Sequence, residues 1–141
     1  MCGSSICVDA NLVIRLVADP RDRSVHQLWE RWDAEKRQLV APALLYYEVT
    51  SALHRYQRQR LFSASSARLA LRAALSLPIR LYGGPDIHWQ ALDLAERFSL
   101  SAAYDAHYLA VAERLEAEFW TADRRLVQAV APALLWVHLV E

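Results

Sequence analysis

This 141-residue chain predicts an α/β fold with a mainly parallel sheet covered by helices on both faces. Two observations carry that prediction. Short apolar runs of strand length alternate with helical stretches from one end to the other. No Pro-, Gly- or Ser-rich linker and no block of like charge divides them, so residues 1–141 are expected to form a single domain.

Taken in order, Ser5 to Val8 reads as a short buried strand that Asp9 ends, and Asn11 to Ala18 follows at helical spacing with Leu12, Ile14 and Leu16 apolar. Pro20 stops that helix; Val25 to Lys36 resumes with Leu28, Trp29 and Trp32 on one face. Gln38 to Ala41 is the second strand. Pro42 stands where a helix can begin, and Ala43 to about Gln59 continues helically. Ser65 to Leu75 is its partner in a helical hairpin, which Pro78 closes. Ile79 to Tyr82 is the third strand, Gly83-Gly84-Pro85 a turn, and Ile87 to Phe98 a helix with Asp86 at its N-cap. Ser101 to Leu115 is helical, Phe119 to Thr121 a strand, Arg124 to Val130 a helix and Leu134 to Val140 the last strand.

Sixteen basic and sixteen acidic side chains cancel, so the chain lacks the positive excess that drives loose adhesion to nucleic acid. Any such contact must be local, and arginine must make it, because Lys36 is the single lysine. Cys2 and Cys7 are too close in sequence to suggest a staple, form no CxxC and lack the His spacing of a zinc site, so a reduced cytoplasmic setting is expected. The first residues carry no basic n-region, and Asp9, Asn11 and Arg15 break their apolar run. No other stretch approaches the roughly 18–20 apolar residues that span a bilayer, so no targeting or membrane segment is expected.

Four acids stand where charge is costly. Asp9 ends the first strand, and in open parallel sheets ligands gather beyond the carboxyl ends of the strands. Asp123 lies just past the Phe119–Ala122 apolar run. Both are also good N-caps for the helices that follow. Asp105 opens a helix that is apolar nearly all round, and the helix dipole accounts for a surface aspartate there better than for a buried one. Glu48 has Leu44, Leu45, Ser51 and Ala52 as its helical neighbours and no base within a turn. If the fold gathers these acids at one sheet edge, they repel and raise one another's pKa values. A divalent cation removes that conflict, and oxygen ligands without His or Cys suit Mg²⁺ or Mn²⁺.

The stretches ICVDANLVIRL, YYEVTSAL, AYDAHYLAVAERL and FWTADRRL, in this order and at these separations, resemble the PIN domains, most closely the small VapC-type ribonuclease toxins of toxin-antitoxin pairs. The resemblance covers essentially the whole chain. It implies a three-layer α/β/α fold with a five-stranded sheet in the order 3-2-1-4-5. It also implies a metal site of Asp9, Glu48, Asp105 and Asp123 for one or two ions, with Asn11 and Thr121 as polar support. Some relatives carry further acids near the third motif, where this chain has Leu109 one turn after Asp105. The implied activity is metal-dependent endonucleolytic cleavage of RNA, leaving a 5′-phosphate and a 3′-hydroxyl, with a cognate antitoxin as inhibitor. A non-catalytic PIN-like module that binds RNA or protein is the alternative.

For the RNA backbone the candidates are Arg15, after Asp9, and a stripe of His54, Arg55, Arg58 and Arg60 that follows Glu48; Arg124 and Arg125 are weaker ones. Tyr46, Tyr47 and Tyr56 are expected to pack rather than to stack on bases. His26, His54, His88, His107 and His138 are dispersed without a ligand spacing and stay outside the site. The helical hairpin carries Leu53, Tyr56, Leu61, Phe62, Leu69 and Leu71, an apolar surface suited to an antitoxin helix or to a homodimer. Two other aspartate-based folds are excluded. A haloacid-dehalogenase-like phosphatase needs a second aspartate where Asn11 stands, and a receiver domain needs a late lysine.

Overall fold

The computed structural model describes residues 5–141; Cys2 lies outside the described residues. The elements run β1 (Ile6–Val8), α1 (Ala10–Ala18), α2 (Arg23–Ala34), β2 (Leu39–Pro42), α3 (Leu44–Arg58) and α4 (Ala64–Leu75), then β3 (Ile79–Tyr82), α5 (Pro85–Arg97), α6 (Tyr104–Arg114), β4 (Glu118–Thr121), α7 (Arg124–Val130) and β5 (Val137–Leu139). The strands form a single five-stranded sheet in the order β3-β2-β1-β4-β5, as expected. All four pairings are parallel, with Ile6 opposite both Leu39 and Glu118, and Val8 opposite Trp120.

This topology fixes where a site can form. The crossovers β1 to β2 and β2 to β3 step one way across the sheet, while β3 to β4 steps back over both. With right-handed crossovers, α1 to α4 cover one face, and α5 and α6 the other. Packing agrees, since α1 lies against α3 and α4, and α6 crosses β1, β2 and β4 beneath α5. The chain leaves β1 for one neighbour and reaches the other only later, so the order reverses at β1. A crevice opens there at the carboxyl ends of β1 and β4.

The core follows the apolar pattern. β1 and β2 are buried along their whole length, as strands covered on both faces must be. Trp32 is buried between Trp29 and Trp120, with ring centroids 5.0 and 5.8 Å away. α6 buries Ala106 and every residue from Tyr108 to Ala112, because the sheet takes one side of it and α5 the other. Cys7 is a free thiol inside β1 whose Sγ donates to the Tyr108 carbonyl at 3.6 Å.

Three local expectations need correction. Pro42 does not open α3; it closes β2 opposite Tyr82, and the Ala43 amide continues the ladder by donating to the Tyr82 carbonyl at 2.8 Å. Asp86 is not an N-cap, because Gly84 takes that position with φ 109° and Pro85 starts the helix. That backbone region is open essentially to glycine alone, and Asp86 instead reaches Arg114 at 3.3 Å. The last strand is only Val137–Leu139, since turns occupy residues 131–133 and 135–136. Among the described residues no helix is long and apolar enough to cross a membrane.

Candidate active site

Asp9 follows the last residue of β1, and its amide donates to the Trp120 carbonyl at 3.1 Å, so the β1–β4 ladder holds its backbone. Although Asp9 occupies the N-cap position of α1, its side chain does not cap that helix. Its Oδ2 instead accepts from the Thr121 hydroxyl at 2.7 Å and from Asn11 Nδ2 at 3.3 Å. Thr121 Oγ1 also accepts from Asn11 Nδ2 at 3.2 Å and from the Asp123 amide at 3.0 Å. One hydroxyl has one proton and two lone pairs, so the capacity of this fully buried group is used up. Asn11 completes the network by accepting the Ala122 amide on Oδ1 at 3.1 Å.

The other acids arrive from three helices. Asp123 does cap α7, its Oδ1 accepting the Leu126 amide at 3.1 Å, and the same residue lines the cavity formed by the other acids. Glu48 comes from α3, half-buried, and its Oε1 accepts the Tyr108 hydroxyl at 2.6 Å. Asp105 lies half-buried in the first turn of α6. The four acids line one cavity of ≈ 330 Å³ together with Asn11 and Arg55.

Charge within this cavity is strained. Burial, reinforced by Asp105 and Glu48, raises the Asp9 carboxyl to about 7 even though the Thr121 hydrogen bond opposes it. Burial also raises Asp105, with Asp123 and Glu48 adding to the effect. The Tyr108 hydroxyl is pushed far up by burial and by Asp9 and Glu48, so it stays protonated and serves Glu48 only as a donor. Burial, then Asp9, holds the Cys7 thiol well above its usual range, which makes it inert. Among the described residues, no three His, Cys, Asp or Glu side chains are closed up into a ready-made coordination shell. Thr121, Tyr108 and the α7 amide turn Asp9, Glu48 and Asp123 toward protein partners instead.

The basic candidates divide. Arg55 lines the cavity. Arg58 is exposed in the last turn of α3, and Arg60 lies beyond it at φ 60°. Arg15 Nε is bound to Asp22 Oδ2 at 2.6 Å, and its Nη2 reaches Ser24 and the Glu141 carbonyl. That pairing holds the Asp22 carboxyl down at about 2. Among the described residues no histidine lines the cavity; His88 and His107 bond each other at 2.9 Å between α5 and α6, and His138 stacks on Trp120.

Tyr108 is the residue that sequence reasoning missed. It falls within a helix whose sequence is apolar nearly all round, and its ring does pack on Phe119 with centroids 5.9 Å apart. The available signal was a tyrosine one turn past Asp105, since a buried Tyr hydroxyl nearly always finds a partner. Thr121 gives a direct test of the network. Thr121→Val, which keeps the shape and deletes the hydroxyl, is expected to cost roughly 1–3 kcal/mol in urea unfolding by leaving buried partners unpaired. Unchanged stability would show that the Asp9–Asn11–Thr121 bonds do not hold the strand ends.

A PIN-domain family model matches residues 6–131. The chain is 32% identical over 100 residues to VapC ribonuclease Mb0985 of Mycobacterium bovis, covering 67% of this chain and 76% of the relative. Ribonuclease VapC9 of Mycobacterium tuberculosis gives the same figures, 32% identity with 67% and 76% covered. The fold is similar to a toxin-antitoxin complex from Klebsiella pneumoniae, with TM-score 0.67, 24% identity and 94% and 95% of the two chains covered. It is also similar to PAE2754 from Pyrobaculum aerophilum, with TM-score 0.70, 24% identity and 96% and 84% covered. With the family model spanning nearly the whole sheet and two VapC ribonucleases aligned to it, the chain belongs to the PIN-domain family, in its VapC-type branch.

Proposed function

We propose that the chain, acting as one domain, is a metal-dependent endoribonuclease toxin that hydrolyses RNA phosphodiester bonds and is inhibited by a cognate antitoxin. The observation that carries this reading is the cavity at the carboxyl edge, where Asp9, Glu48, Asp105 and Asp123 meet and where burial, with the neighbouring acids adding to it, raises the Asp9 and Asp105 carboxyls. The donor set fits Mg²⁺ or Mn²⁺, one or two ions, since every acid offers hard oxygen and, among the described residues, no His or Cys lines the cavity. An open arrangement suits an ion that keeps several of its own waters. When bound, such an ion supplies an activated water and charge stabilisation at the phosphate.

The chain's own groups then have defined tasks. Thr121 and Asn11 fix the angle of Asp9, and Tyr108 fixes Glu48. Arg55, at the wall of the cavity, is placed to balance a phosphate, with Arg58 and Arg15 as outer contacts for the backbone. No nucleophilic side chain is required, because water attacks. The antitoxin and a second copy of the chain are the proposed protein partners. The apolar groove lined by Val17, Leu61, Phe62 and Leu69 offers a helix-binding surface, and the cytoplasm is the proposed compartment.

The lack of a closed three-ligand shell among the described residues favours the second reading, a non-catalytic module that binds RNA or protein. Structured RNAs incubated with the purified chain, freed of antitoxin, separate the two readings. Cleavage in Mg²⁺ or Mn²⁺, abolished by EDTA and leaving 5′-phosphates, is the expected result. Intact RNA under every metal condition favours the binding module.

A further inference from the structure

A second cavity adjoins the carboxylates. It measures ≈ 770 Å³ and is lined by Tyr46, Tyr47, Thr50, Ser51, His54 and Leu81. Ser51 also lines the carboxylate cavity, so the two share a wall. The spacing along α3 explains this: Glu48, Ser51, Ala52 and Arg55 face the acids, while Tyr47, Thr50, Ser51 and His54 face the second cavity. α3 is a ridge with an acidic hollow on one side and an aromatic one on the other.

The two tyrosines of this hollow differ. Tyr46 is fixed, its hydroxyl donating to the Ala74 carbonyl at 2.8 Å, which makes it a wall. Tyr47 is 75% exposed. Exposing a large aromatic ring beside an apolar hollow leaves a flat face for another ring to cover. The hydroxyls of Thr50 and Ser51 and the ring of His54 make no hydrogen bond to other described residues, which leaves donors and acceptors at the rim.

On the nuclease reading above, we infer that this hollow holds the unpaired RNA base next to the cleaved bond, stacked on Tyr47, with Thr50, Ser51 and His54 facing its edge. A strand with its phosphate at the carboxylates must cross the α3 ridge at Ser51, which delivers the adjoining nucleoside to Tyr47. Only single-stranded or looped RNA can turn a base out in this way, and aromatic stacking is tolerant of base identity while edge contacts are not. The hollow therefore determines which unpaired position is cut.

Two arms keep this base site separable from the cleavage chemistry. In EDTA, a single-stranded oligonucleotide carrying 5-iodouridine is irradiated with the intact chain, and the crosslinked peptide is expected to contain Tyr47. In Mg²⁺, Tyr47→Ala is expected to raise KM about tenfold with kcat within about twofold, and Tyr47→Trp to keep the wild-type KM. Crosslinking at Tyr47 without any cleavage removes the nuclease reading and supports the base site. Cleavage with an unchanged KM in Tyr47→Ala, or crosslinks confined to other surfaces, overturns it. So does a Tyr47→Ala variant that loses only self-association or antitoxin binding, which assigns the hollow to a protein.

Discussion

Replacing Asp9 by Asn is expected to lower Mg²⁺-dependent RNA cleavage by about 10³-fold or more, the scale of several kcal/mol of lost charge stabilisation. The substitution is close to isosteric. The amide oxygen of Asn can still accept from the Thr121 hydroxyl, so the strand ends stay joined and the circular dichroism spectrum is expected to match that of the unchanged chain. What disappears is the buried negative charge at the floor of the cavity. Asp105→Asn, at the start of α6, is expected to act alike. A variant of either kind that cleaves at the original rate removes its residue from the site.

The same carboxyl governs stability in the metal-free chain. Folding raises the Asp9 pKa from 3.8 to about 7, burial being the largest cause. Between those values the folded state binds more proton than the unfolded state, so stability falls as pH rises through the window and levels off above it. At about 1.36 kcal/mol per pH unit the window amounts to roughly 4 kcal/mol. Asp105 is raised as well and acts in the same direction. Thermal unfolding in EDTA from pH 4.5 to 8 is expected to show a falling melting temperature, and Asp9→Asn to flatten the fall. Mg²⁺ at pH 8 is expected to restore stability, by about 2.7 kcal/mol at a hundredfold excess over Kd. A melting temperature that rises across this range, or an equal slope in the Asn variant, would exclude Asp9 as its source.

Much of this architecture was legible because it is written locally. Apolar runs at Ile6–Val8 and in α6 announce burial on both faces, and the small apolar neighbours of Glu48 mark it as inward before any partner is known. The features that escaped depend on partners outside the local element. Arg15 is held by Asp22 across the Pro20 turn, and Tyr108 meets Glu48 from a helix on the opposite face of the sheet. The Asp86 cap failed for a different reason. Gly84, in a backbone conformation available to glycine, starts the helix earlier and leaves the aspartate inside it. The four acids that line the cavity stand out in the sequence by type and surroundings, whereas the hydrogen bonds that aim them are visible only in the fold.

The bond from Thr121 to Asp9 joins positions 112 residues apart. Synthesis proceeds from the amino terminus, so Asp9 leaves the ribosome long before the hydroxyl that orients it. A nascent or truncated chain ending before Thr121 lacks β4's last residue, the Asp123 carboxylate and the anchor for Asp9 together. The four acids can therefore line one cavity only after the segment from Thr121 to Asp123 has joined the first strand.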